Sequence, residues 1–159
     1  MCQKWGQVQP TGFMSNLLAW AGSIRSDAVV RASTADGKRP FIHSEDIAAV
    51  CVKTLTTHAY WNEPLALTGP ESLSFPEIAV RIGSVLGKPV QFQPISDEEA
   101  SRRFSATGAS VEETAAHVEL WRAIREGRLA QVTAGVQRVL GRKPIGLDRW
   151  LTENAAAFC

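Results

Sequence analysis

The chain has little cysteine and none of it is clustered. Cys2, Cys51 and Cys159 are the three cysteines in 159 residues. Their wide separation argues against a disulfide framework and fits a reducing, cytoplasmic setting. Cys51, inside the apolar run "IAAVCV", reads as a small buried hydrophobe. Charge of either sign is not in excess: 17 Lys plus Arg stand against 16 Asp plus Glu. That balance gives no reason to expect nucleic acid or a charged membrane surface as partner. Basic residues gather only in "SRRF" (101–104) and "GRKP" (141–144), too short for a phosphate-tracking stripe and read as solvated face or loop. No apolar stretch approaches the roughly 20 residues that span a bilayer, so no membrane partner is expected. No basic start followed by a hydrophobic segment marks a secretory signal.

Motifs that carry chemistry are also scarce. A nucleotide-binding α/β domain needs a glycine-rich turn after its first strand, so that backbone can approach a pyrophosphate. Neither G-x-G-x-x-G nor a P-loop occurs, and "GRKPIG" (141–146) has the wrong spacing. A Tyr-x-x-x-Lys pair is missing, because Tyr60 is followed four residues later by Pro64. His43, His58 and His117 are spread along the chain with no metal-ligand spacing. "HSED" (43–46) offers a base, a hydroxyl and carboxylates, but sequence neighbours seldom converge as a triad. Helix capping is the better reading there, with Ser44 as the cap. No residue is assigned a catalytic role and no metal is expected.

What is present is alternation. "WGQVQ" (5–9) reads as a strand closed by Pro10, which cannot donate to a ladder. "NLLAWAGSIRS" is a helix with Leu17, Trp20, Ala21 and Ile24 on one face. "AVVRAS", "PLALTGP" and "KPVQFQPI" are strands, and Asp36-Gly37 marks a turn. The helix after His43 is expected to bury Ile47, Val50, Cys51 and Leu55. Ser74, Ser96 and Ser110 each precede a Glu by three residues, a capping-box spacing. Their helices should end near Gly87, Gly108 and Gly127. A shorter helix over 133–140 stops at Gly141, and a last one covers 147–158. Trp20 and Trp150 sit on apolar stripes and read as core. Trp121 is one turn beyond His117 on the same side of a helix, and this pair could line a cleft. Strand–helix alternation followed by helices indicates an α/β domain with partly parallel strands over 1–95 and a helix-rich substrate or lid lobe over 96–159, together one compact unit.

The ordered segments "PTGFMSNLL", "DGKRPFIHSEDIAAV" and "LALTGPESLSFPEIAVRIGSVLGKPVQFQPIS" resemble the C-terminal half of NmrA-like proteins, from the atypical short-chain dehydrogenase/reductase superfamily. The similarity runs from about Trp5 to Phe158. It implies the C-terminal part of a Rossmann-like NAD(P)-binding fold, with the N-terminal glycine-rich βαβ half absent from this chain. Gln9 stands where the family usually has Arg, and "MCQK" at the start matches nothing in it. The resemblance further implies that Pro10, Thr11, Gly12 and Phe13 lie beside a nicotinamide ring. Asn16, one turn into the helix, is expected to face the same cleft, and His117 and Trp121, from their helical spacing, are the candidate substrate contacts.

Family members bind NAD(P); some reduce small molecules, others act as redox-sensing regulators. The implied function is therefore the substrate-binding portion of an NAD(P)-dependent oxidoreductase, truncated and weak or inactive alone. The alternative is a non-catalytic NAD(P)-sensing regulatory or protein-interaction module. The missing glycine-rich turn counts against cofactor binding by this chain alone. Missing strands also lead us to expect an exposed apolar surface around Val8, Phe13 and Ile42, and a homodimer through the exposed sheet edge.

Overall fold

The computed structural model describes residues 4–159. Cys2 and the opening residues of "MCQK" up to Gln3 lie outside the described residues. The chain forms two compact units, each assembled from separated stretches. Unit 1 takes Met1–Leu18, Pro40–Ser72 and Gln131–Asn154; unit 2 takes Ala19–Arg39, Leu73–Ala130 and Ala155–Cys159.

Unit 1 is built on a parallel pair, β1 (Gln7–Pro10) with β4 (Pro64–Leu67). Val8 stands opposite Leu65 and Pro10 opposite Leu67, so alternate residues share one face. That face meets α2 (Ser44–Thr56) and α6 (Gly135–Leu140) in a core of Ile42, Val50, Leu65, Leu67, Val136 and Val139. Val8, Ile47, Tyr60 and Leu140 close its margin. Pro10 is the last residue of its strand, as its missing N–H requires.

Four expectations fail in this unit. The cap of α2 is His43, whose Nδ1 accepts from the Glu45 amide at 3.1 Å, and Ser44 is already inside the helix. Leu55 is 85% exposed and Cys51 half-buried, so the buried face carries Val50 and, unexpectedly, Asp46 at 0% exposure. α6 starts at Gly135 because the preceding residues are tied to β4. Thr133 Oγ1 donates to the Ala66 carbonyl at 2.7 Å, and its amide to Thr68 Oγ1 at 2.9 Å. Of the trio Val8, Phe13 and Ile42, only Phe13 is exposed, at 39%; Ile42 is fully buried.

Unit 2 contains a second parallel pair, β2 (Val29–Ala32) with β6 (Gln91–Pro94), and a short antiparallel pair, β3 (Lys38–Arg39) with β5 (Leu73–Ser74). α1 (Ala21–Asp27) packs on β2, and α3 (Phe75–Leu86) packs on β2, β5 and β6. α4 (Asp97–Ser105) lies against α5 (Val111–Arg125). The core includes Ile24, Val30, Phe75, Ile78, Ile82 and Ile124. Ser74 and Ser110 make complete capping boxes with Glu77 and Glu113. Ser96 caps α4 through the Glu99 amide at 3.2 Å, but the Glu99 carboxylate turns to Arg102 and Arg103. Gly87, Gly108 and Gly127 all adopt the left-handed conformation.

The expected helix over 147–158 divides. α7 (Leu147–Asn154) belongs to unit 1, and a 3₁₀ turn, Ala155–Phe158, packs on α1 and α3 in unit 2. The segment Met14–Trp20 is likewise 3₁₀, with the Met14 amide bonded to the Ile42 carbonyl at 2.9 Å. No helix among the described residues is long and apolar enough to cross a membrane.

Candidate functional site

In unit 1 the carboxyl ends of β1 and β4 open into the segments Thr11–Phe13 and Thr68–Pro70, the place where parallel sheets present ligand-binding loops. The backbone here is held on both sides. The Thr11 amide donates to the Leu67 carbonyl and the Ile42 amide to the Gly12 carbonyl, each at 2.9 Å. Gly12 is buried, and Phe13 forms a parallel bridge with Ile42. Gly69 is required by close approach: a Cβ there would collide with the Phe41 carbonyl oxygen. Three of the four expected cofactor contacts thus lie on one pinned turn. It presents the half-buried Thr11 and the exposed Phe13 ring, while Pro10 ends the strand below it. Asn16 follows on the same segment, exposed, its amide bonded to the Phe13 carbonyl at 3.0 Å.

The turn presents a hydroxyl and a ring face beside the strand ends, chemistry able to hydrogen-bond to and stack on a planar group. Pyrophosphate is different: the cradle for it is a glycine-rich turn, and this chain contains none.

His43 is buried in unit 1, and its contacts are structural. Its Nδ1 is the acceptor of the α2 cap, so in the neutral ring Nε2 carries the proton and donates to Glu153 Oε2 at 3.2 Å. His43, Glu45 and Glu153 bring ligand-type atoms within 4.8 Å of one another. A metal at Nε2 would need the lone pair that this tautomer does not offer. Both carboxylates are also taken by Arg149, at 2.6 Å to Glu153 and 3.1 Å to Glu45. Capping and ion pairing therefore account for the group.

In unit 2, His117 and Trp121 come together as the helical spacing indicates, with ring centroids 5.0 Å apart. Sequence reading missed their companion. Phe104 of α4 lies 3.5 Å from the His117 ring and 5.3 Å from Trp121. Its position four residues after the buried Ala100, on the same helix face, was the available signal. Phe75 extends the cluster, edge-on to Trp121 at 6.5 Å and to Trp20 at 4.9 Å. Trp121 is buried; Trp20 is half-buried rather than fully core, while Trp150 is buried. Burial, with a smaller push from the Arg39 charge, lowers the His117 pKa to about 4. At neutral pH the imidazole is uncharged, so it holds no surplus proton to donate. The cluster packs aromatic rings around one neutral imidazole.

The basic cluster at 141–144 also has a fold role. Arg142 Nη1 pairs with Asp46 Oδ1 at 2.7 Å, and the Ile145 amide donates to Oδ2 at 2.7 Å. This correction to the solvated-loop reading explains how Asp46 is accommodated at zero exposure.

These features define an α/β, helix-rich fold that matches the C-terminal half of NAD(P)-binding reductases. No family model matches the chain. Among curated proteins it is 34% identical over 154 residues to the NAD(P)H azoreductase of Xenophilus azovorans, covering 97% of this chain and 54% of that protein. It is 35% identical over 156 residues to the (4-alkanoyl-5-oxo-2,5-dihydrofuran-3-yl)methyl phosphate reductase of Streptomyces griseus, again 97% and 54%. Among solved structures, the NADPH-dependent quinone oxidoreductase of Escherichia coli complexed with NADPH superposes with a TM-score of 0.85 at 16% identity, over 94% of this chain and 53% of that one. A nucleoside-diphosphate-sugar epimerase from Staphylococcus aureus gives 0.84 at 18% identity, over 94% and 52%. The chain spans about half the length of the curated relatives it matches.

Proposed function

We propose that this chain is the substrate-side half of an NmrA-like NAD(P)H-dependent reductase of the atypical short-chain dehydrogenase/reductase type, weak or inactive by itself. The observation that carries this reading is the identity of 34–35% across 97% of the chain to an NAD(P)H azoreductase and a (4-alkanoyl-5-oxo-2,5-dihydrofuran-3-yl)methyl phosphate reductase. Pro10, Thr11, Gly12 and Phe13 receive the nicotinamide end of the cofactor, and Asn16 faces the same ligand. His117 and Trp121, with Phe104 beside them, hold a flat substrate. The cofactor would supply the hydride; the chain's own part is to orient the ring and shield it. A neutral His117 suits a binding role.

A chimera tests this: residues 4–159 joined behind the first half of the Xenophilus azovorans azoreductase. NADPH consumption in the presence of an azo acceptor is the expected result. Phe13→Ala should raise KM for NADPH, and Trp121→Ala should raise KM for the acceptor, each by about tenfold, equivalent to roughly 1.4 kcal/mol. A folded chimera that binds NADPH tightly yet turns over no acceptor would favour the sensor reading instead. A folded chimera that binds no NADPH would remove the role given to Pro10–Phe13.

A further inference from the structure

Unit 2 holds a cavity that the reductase reading does not use. Its volume is about 300 Å³, and it lies at the carboxyl ends of the parallel strands β2 and β6. Ser33 and Ala35 line it from the segment after β2; Ile95, Asp97 and Glu98 do so from the segment after β6 and the start of α4. Arg125, from the end of α5, completes the wall. Loops beyond the carboxyl ends of neighbouring parallel strands are where open α/β sheets bind ligands.

The hydrogen-bonding inventory of this wall is mixed. Arg125 Nη1 donates to the Ser33 carbonyl and to Asp97 Oδ1, and Nη2 to Asp97 Oδ2 at 3.0 Å. A guanidinium has five N–H donors, so Nε–H and one Nη2–H remain without a partner among the described residues. Asp97 Oδ2 also receives Arg122 at 3.4 Å, whereas Oδ1 keeps an acceptor position. Glu98 adds an exposed carboxylate. Ser33, 3% exposed, has a hydroxyl with no well-formed hydrogen bond; it approaches the Asp97 carboxylate and helps hold that pKa low. Ala35, Ile95 and Pro94 supply apolar surface between these groups.

Spare donors and spare acceptors in one wall suit a group that is both. An anion would meet the exposed Glu98 carboxylate, with Arg125 already committed to Asp97. A cation would find Asp97 already neutralised by Arg125, leaving the exposed Glu98 as its only attraction. A hydroxyl can donate to Asp97 and accept from Arg125 together, and the C–H face of a sugar ring can lie on Pro94 and Ile95. We propose that this cavity is a binding site for a small polyhydroxylated ligand, a pentose- or hexose-sized group recognised through vicinal hydroxyls.

The test is a titration of the full chain, ¹⁵N-labelled, with D-ribose, followed by amide shifts. Cyclopentanol, putrescine and phosphate serve as controls for ring shape, positive charge and negative charge. Saturable shifts confined to residues 33–35, 95–98 and 125, at millimolar ribose and with none of the controls, are expected. Arg125→Lys keeps the charge but removes the spare fork donors, and should weaken ribose at least fivefold. The proposal is overturned if ribose gives no saturable shift there, if cyclopentanol matches ribose, or if putrescine or phosphate binds in its place. An unchanged ribose affinity in a folded Arg125→Lys chain would also overturn it. Should that variant fail to fold, the wild-type comparison of ribose with its controls decides alone. No cofactor enters the assay, and the cavity lies in unit 2, so its failure leaves the assignment of Pro10–Phe13 untouched.

Discussion

Asp46 has no exposed surface, yet it is a carboxylate in the first turn of α2. Its two oxygens hold the Arg142 guanidinium and the Ile145 amide, tying the loop before α7 to α2 within unit 1. Removing one partner of a buried pair strands the other, but Arg142 is 46% exposed and can turn to water. Asp46→Ala should therefore cost roughly 2–3 kcal/mol, at the low end for such pairs, read from the urea midpoint. His117 makes a pH prediction at the same scale. Its folded pKa of about 4 lies below its ordinary 6.5, so the unfolded chain takes up that proton first as pH falls. Stability from this group is complete above pH 6.5 and lost progressively towards pH 4. Asp97, held low chiefly by Arg125, and Glu77, held low chiefly by the Ser74 amide, act in a lower window, as pH falls through and below the usual carboxylate range. Urea midpoints should thus decline between pH 6.5 and 4.5 in the wild-type chain and much less in His117→Phe. Equal declines would contradict the burial of the imidazole.

At the scale of elements, helix starts differ in how completely they are closed. The boxes at Ser74 and Ser110 satisfy donors in both directions, whereas Ser96 works one way, since Glu99 pairs with Arg102 and Arg103. Ser74→Ala and Ser110→Ala should each cost about 1 kcal/mol, and Ser96→Ala somewhat less. Hydrogen exchange of the first-turn amides would report the order directly; a larger loss at Ser96 would contradict it. α2 shows the limit of reading a helix as a stripe. Val50 is buried, but Val52 and Leu55 are exposed at 61% and 85%. The helix packs against β1 and α6, and apolar residues turned away from them remain in water.

For the molecule as a whole, the glycine-rich turn absent from the sequence predicts weak cofactor binding. Calorimetry with NADPH should show no saturation at about 1 mM, a binding free energy weaker than roughly −4 kcal/mol. Micromolar affinity would require a phosphate site of another kind within these residues. β1 pairs only with β4 among the described residues, and parallel sheets are ordinarily covered on both faces. Self-association through that edge is expected to appear as a concentration-dependent dimer in sedimentation. A sharp monomer at high micromolar concentration would rule it out.

The sequence by itself determined the local punctuation: the serine caps, the glycines that close three helices, the strand that stops at Pro10, and the pairing of His117 with Trp121 one turn apart. Each depends on residues within a turn of one another, whose chemistry is the same in any fold. Alternation also disclosed the parallel strands, and the ordered motifs pointed to the Pro10–Phe13 turn. Tertiary structure decided which strands pair and which side chains are buried. It fixed the segment before α2 by bonding the Ile42 amide to the Gly12 carbonyl. It buried Asp46 by bringing Arg142 to it, and it delayed α6 by bonding Thr133 to β4. It also set Phe104 against His117 and shaped the open depression at the ends of β2, β6 and α5. These outcomes rest on contacts between residues far apart in the chain, and no window of neighbouring residues contains them.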